Sequence, residues 1–213
     1  MDIVSNFQKI SNNIYLVNKN ITIIAVSKTF KIDQIMPLIN FGHKHFGENK
    51  VQESLEKWIP ELLHEKKIQL HMLGKLQSNK VEDAVRIFSY IHSLDNEKLA
   101  LKLSAVEKKI NKNLIYFIQV NIASEPQKSG IALEAADDFI NFCINDLKLN
   151  VKGLMCLPPI NTDPVPFFKK LNLIGKKNNL NDFSMGMSND YLQAINFGAT
   201  YVRIGSSIFG NRY

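Results

Sequence analysis

The chain has 213 residues, 45% of them hydrophobic and 22% charged, which suits one globular domain with a substantial core. Its net charge of +6 is spread along the sequence, with no block of like charges and no basic-aromatic interleaving, so nucleic acid is not the expected partner. Cys143 and Cys156 form no Cys-x-x-Cys pair, no stretch approaches the roughly 20 apolar residues of a membrane span, and no signal peptide opens the chain, so a reduced, cytoplasmic protein is expected.

Ile3, Phe7, Ile10, Ile14 and Val17 fall on one helical stripe, predicting an amphipathic helix over 3–17. A strictly alternating series follows. Strands are expected at 21–26 and 45–46, with helices at 31–41 and around 50–66, the latter carrying Val51, Leu55, Trp58 and Leu62. A strand at 68–73 precedes a helix opened by Ser78 with Glu82. Next come strand 88–93, helix 96–110, strand 114–121 and helix 132–146. Strand 151–156 leads through Pro158 and Pro159 to a helix at 164–175, and strand 183–185 is followed by Ser188 as N-cap of a helix at 189–197. Strand 200–204 closes the series.

About eight strands alternating with helices, uninterrupted by any linker, predict a single (β/α)₈ barrel domain over 1–213 with an extra N-terminal helix. An open doubly wound sheet is the alternative. In such a barrel the active site lies at the C-terminal ends of the strands, where the unusual residues of this chain collect.

Lys28 ends the first strand, as a solvated charge or as a nucleophile at the mouth of a site. "SMGMS" (184–188) and "GSSIFG" (205–210) place small residues between a strand and a helix start, where backbone N–H groups can approach an anion. The loops after the last two strands are the habitual phosphate site of these barrels. Arg203 interrupts the apolar "YVRIG", so it makes either a structural ion pair across the barrel or a fixed donor to a ligand. Together the three features describe a pyridoxal phosphate site. Lys28 would form the Schiff base, the late loops would hold the phosphate, and Arg203 would bind the pyridine nitrogen.

Seven co-linear blocks carry a resemblance to a known family: "AVSKTF", "HFGENKVQE", "HMLGKLQSNK", "QVNIASEPQKSGI", "KGLMCLPP", "SMGMSNDYLQAI" and "VRIGSSIFG". They resemble the pyridoxal phosphate homeostasis proteins, single-domain relatives of the alanine racemase barrel. The resemblance implies that Lys28 is the cofactor lysine, with further contacts from Asn49, Ser184, Met187, Ser188, Arg203, Gly205 and Ser206. Ser206 stands where relatives often carry threonine, and the hydroxyl is kept. Lys75 is given no role.

The other candidates are weaker. His43 and His45 beside Glu48 suggest a metal edge, but no third ligand lies nearby at a suitable spacing, so no metal is expected. His71 and His92 end neighbouring strands, either as core or rim histidines or as acid-base groups, and the "HMLGKLQSNK" block puts His71 near the cofactor. Cys156 has no evident base partner.

The expected function is to hold pyridoxal phosphate in B6 and amino-acid homeostasis without turnover, as a monomer, with apo pyridoxal phosphate enzymes as recipients. An arginine at the pyridine nitrogen disfavours its protonation and weakens the electron sink. The second, β-rich domain and the partner tyrosine of alanine racemases are also expected to be absent. A small racemase using Lys28 as its only base is the alternative.

Overall fold

The structure is a computed structural model that describes residues 2–59, 64 and 66–210. Helix α1 (Ile3–Val17) is capped by Asp2, whose carboxylate accepts the Val4 N–H at 3.1 Å, and it buries Phe7, Ile10 and Ile14. Val17, expected on that stripe, is exposed. The Asn6 side chain donates to the Ile208 carbonyl at 3.1 Å and ties this helix to the far end of the chain.

Eight parallel strands close a barrel in sequence order: β1 (Thr22–Val26), β2 (His45–Glu48), β3 (Gln69–Met72), β4 (Tyr90–Leu94), β5 (Ile115–Gln119), β6 (Val151–Met155), β7 (Asp182–Met187) and β8 (Tyr201–Ile204). The expected (β/α)₈ architecture with its extra N-terminal helix is the one observed, and no open sheet forms. Between the strands run α2 (Ile32–Asn40), α3 (Val51–Lys57), α4 (Val81–Ile87), α5 (Glu97–Ile110), α6 (Ala136–Asn141), α7 (Val165–Lys177) and α8 (Tyr191–Asn196). A four-residue turn of helix, α9 (Ser206–Phe209), follows β8.

Register decides what faces inward, because paired residues of parallel strands point to the same side. Gly47 pairs with His71, His71 with Tyr90, Phe117 with Gly153, Met155 with Ser184, and Arg203 with Ile24. The alternate residues, such as Ile23, Ala25, Phe46, Leu70, Ile91, Ile118, Leu154 and Val202, form the large apolar core against the helices. Inside the barrel Tyr90, Phe117 and Met155 make a small apolar cluster. Beside it the interior holds the polar His71, His92, Ser184 and Arg203.

Three local expectations are corrected. The helix predicted around 50–66 is α3, which stops at Lys57. Trp58 turns extended because its buried indole N–H donates to Glu48 at 3.1 Å. Leu55 is 36% exposed, Ser54 is the buried residue of that turn, and Leu62 lies outside the described residues. The helix expected to open at Ser78 begins at Val81, after a 3-10 turn over Ser78–Lys80. Ser188 does not cap α8. Asp190 holds the cap position, and its carboxylate accepts the Met187 N–H at 2.6 Å.

Candidate functional site

Lys28 is half-buried just beyond β1, in a turn whose next residue, Thr29, has φ 71°. A β-branched residue in that left-handed region is strained by about 1–3 kcal/mol and needs outside support. Glu53 supplies it by accepting the Thr29 N–H at 2.5 Å. Behind the turn, the fully buried Glu48 accepts from the Ser27 hydroxyl at 2.7 Å and from Lys57 Nζ at 3.1 Å. Lys57 also donates to the Ser27 carbonyl at 2.9 Å and to Glu53 at 3.1 Å. Burial pushes the Glu48 carboxyl up, and Lys57 opposes the shift. The lysine turn is therefore clamped from β2 and α3.

Arg203 lies in the wall of β8 beside Ile24 of β1 and is only 5% exposed. Its Nη1 donates to Ser184 Oγ at 2.8 Å and its Nη2 to the Cys156 carbonyl at 2.9 Å. No carboxylate forms an ion pair with it among the described residues, so the structural ion pair is not the observed arrangement. The first loop and the last meet at Gly205, where a Cβ would come within 3.3 Å of the Val26 carbonyl oxygen. Gly186, in the loop-forming end of β7, needs its φ of 88°, and a Cβ there would meet Ala194 Cβ at 2.6 Å.

The predicted site residues fall into groups. Ser184 and Arg203 are bonded to each other inside the barrel. Exposed Met187 and Ser206, with Ser188 and Gly205, form the rim after β7 and β8, where Ser188 Oγ accepts the Ser207 N–H at 3.4 Å. Lys28 adjoins this rim across the β1–β8 seam. Asn49 stands apart in the wall of a cavity of about 320 Å³, with Gly74, Lys75, Gln119 and Lys128. A Cβ on Gly74 would fall 2.3 Å from the Asn49 carbonyl oxygen, so the β3 loop packs directly on the Asn49 backbone.

His71 and His92 take the core position that was one of their expected readings. His43 Nε2 bonds the His45 carbonyl oxygen at 2.8 Å and its ring packs on Phe7, while Glu48 is committed to Ser27, Trp58 and Lys57. Among the described residues no group of three or more His, Cys, Asp or Glu could hold a metal ion. His71 and His92 are wholly buried within the barrel rather than at its rim. Sequence reasoning missed their connection: His45, His71, His92 and Ser184 are joined in one row at 3.0, 2.9 and 2.9 Å, ending on Arg203. The signal was a histidine on each of three successive strands. Burial holds His43 down to about 4 and lowers the other three. The Cys156 thiol is pushed up to about 12 by burial, which makes it a poor nucleophile.

A clamped strand-end lysine, a buried arginine on the adjoining strand and small-residue loops after β7 and β8 sit in a closed parallel barrel. A family model described as "Alanine racemase, N-terminal domain" matches residues 3–212, so the fold and site define a barrel of that type. The chain is 36% identical over 208 residues to the pyridoxal phosphate homeostasis protein of Schizosaccharomyces pombe, covering 91% of this chain and 85% of that protein. It is 33% identical over 207 residues to the protein of the same name from Escherichia coli K12, covering 91% and 87%. The chain belongs to the pyridoxal phosphate homeostasis protein family. The structure of PipY from Synechococcus elongatus with PLP bound superposes with a TM-score of 0.88 at 28% identity, covering 98% of this chain and all 100% of that one. An alanine racemase of Clostridium difficile shares the fold alone, with a TM-score of 0.75 at 14% identity over 99% of this chain and 57% of that one. Among the described residues no helix is long and apolar enough to cross a membrane.

Proposed function

We propose that this protein binds pyridoxal phosphate, holds it covalently through Lys28, and keeps it available to the cell without catalysing turnover. One observation carries the reading: Arg203 pairs in register with Ile24, four residues before Lys28. The two cationic side chains thus arise at most about 14 Å apart on adjoining strands, a gap that both side chains and a pyridine ring can fill.

The residues present fit the group. Arg203 can only donate, and its described partners are neutral acceptors that use two of its five N–H groups, leaving others for a ring nitrogen. Gly205 keeps the late loop close to β1, where a side chain would intrude. Met187, Ser188, Gly205 and Ser206 are the phosphate-side residues, and Asn49 borders the opposite side of the mouth. Ser184 contributes through Arg203, since its hydroxyl is engaged there.

When bound, pyridoxal phosphate supplies an aldehyde that amines attack and a ring that withdraws electrons best when its nitrogen is protonated. Arg203 brings a donor and no transferable proton to that nitrogen, which favours retention over turnover. Apo enzymes that use the cofactor are the natural recipients.

Purified protein should turn yellow with pyridoxal phosphate, and borohydride should fix a pyridoxyl group on the peptide containing Lys28. Wild-type protein that takes up no pyridoxal phosphate overturns the reading. Brisk α-proton exchange of an amino acid in D₂O, abolished by Lys28→Ala, would establish the racemase alternative.

A further inference from the structure

The row of side chains inside the barrel has a direction. Arginine can only donate, so Ser184 Oγ accepts from Arg203. Ser184 is fully buried, and its hydroxyl has one other described partner, His92 Nδ1 at 2.9 Å. The hydroxyl proton goes there, since otherwise it would be buried without an acceptor. His92 then carries its own proton on Nε2 and donates to His71 Nδ1 at 2.9 Å. By the same step His71 is protonated on Nε2 and donates to His45 Nδ1 at 3.0 Å.

Every acceptor in that row faces Arg203. A guanidinium that is 5% exposed and without a carboxylate partner among the described residues needs other compensation for lost hydration. Aligned imidazoles provide it, because consecutive hydrogen bonds of one sense polarise each other. The ring planes are fixed as well. His71 stacks on Tyr90 at 4.1 Å and 16°, and His92 on Phe117 at 4.3 Å and 9°. Tyr201 packs at a steep angle against both rings, and His45, with His43 behind it, lies on the other side of His71. Burial holds His71 and His92 well below the ordinary histidine value, with Arg203 adding to the effect at His92.

We propose that His92, backed by His71, is a positioning residue for Arg203: the neutral histidine row orients the guanidinium through Ser184 and stabilises its charge where the cofactor ring binds. This rests on the pyridoxal phosphate reading above. The histidines touch neither ligand nor reacting atoms.

The first test needs no ligand. Long-range ¹H–¹⁵N spectra of the histidine rings in the full-length protein should show Nε2–H tautomers for His71 and His92, unchanged from about pH 8 to about pH 5.5. A proton on His92 Nδ1, or an imidazolium at either position, overturns the proposal. The second test compares His92→Phe, which fills the same space but cannot accept from Ser184, with His92→Gln, which can accept and donate. Affinity for pyridoxal phosphate and for unphosphorylated pyridoxal should fall alike by about tenfold in His92→Phe, the equivalent of about 1.4 kcal/mol, with a shifted absorption maximum of the bound cofactor. His92→Gln should keep both affinities and the spectrum close to wild type. A folded His92→Phe that matches wild type, or a folded His92→Gln as impaired as the phenylalanine variant, overturns the proposal. If His92→Phe does not fold, the glutamine variant and the tautomers decide. If wild type binds neither ligand, the cofactor reading fails and the tautomers alone judge the row.

Discussion

Lowering the pH from about 7 to about 5 should remove about 2 kcal/mol of stability through His43 alone, with a further loss of the same sign from the other buried histidines. His43, His45, His71 and His92 are all held below the ordinary histidine value, with burial the first cause in each. In the unfolded chain each regains a value of about 6.5. The folded value is the lower, so between the two the unfolded chain binds the extra proton and stability falls with pH. For His43 the contribution is whole above 6.5 and is lost on the way down to about 4. At about pH 5, proton uptake by one unfolded-state histidine is worth about 2 kcal/mol, which is the share of His43, and His45, His71 and His92 add to it in the same direction. Glu48 and Glu107, both raised by burial, act with the opposite sign, because the fold takes up their protons above the ordinary glutamate value, and they offset part of the loss as the pH falls toward it. Urea midpoints followed by circular dichroism at about pH 7, 6 and 5 measure the effect. His43→Phe, placed against Phe7 and Phe46, should cut the drop by about 2 kcal/mol. A midpoint that does not move between the two ends of the range, or an undiminished drop in His43→Phe, would refute the reasoning.

Two further outcomes are expected. Glu48→Gln leaves the Lys57 ammonium, 7% exposed, without its buried counter-charge, so urea denaturation should show a loss of about 3–5 kcal/mol, and borohydride labelling at Lys28 should fall with it. A loss under about 1 kcal/mol would show that Glu53 alone satisfies Lys57. Gly205→Val sets a Cβ within 3.3 Å of the Val26 carbonyl oxygen, so titration should show weakened binding of pyridoxal phosphate and little change for pyridoxal. Equal weakening of both ligands would remove Gly205 from the phosphate side.

The strands were legible because a strand buried on both faces needs a short β-branched or aromatic run, as in 21–26 and 114–121. The end of α3 was not, because what stops it is the reach of the Trp58 indole to Glu48, a tertiary contact with no local signal. Ser188 looked like a helix cap because serine before a helical stripe usually is one, yet Asp190 lies closer to the first turn and takes the position. Arg203 was conspicuous as a charge in an apolar strand. Its neutral partners were not, since only barrel register brings the Ser184 hydroxyl of β7 and the Cys156 carbonyl after β6 onto β8.

The pairing of β1 with β8 sets a folding order. Lys28 is made early in synthesis, but Ile24 meets Arg203 only when the last strand docks and the barrel closes. Contacts so distant in sequence form late and slowly. During synthesis the emerging chain carries its lysine without the arginine, the β8 loop or the seam that joins them. Capture of a ligand across that seam thus begins only with the finished barrel, and its onset in a refolding experiment marks closure itself.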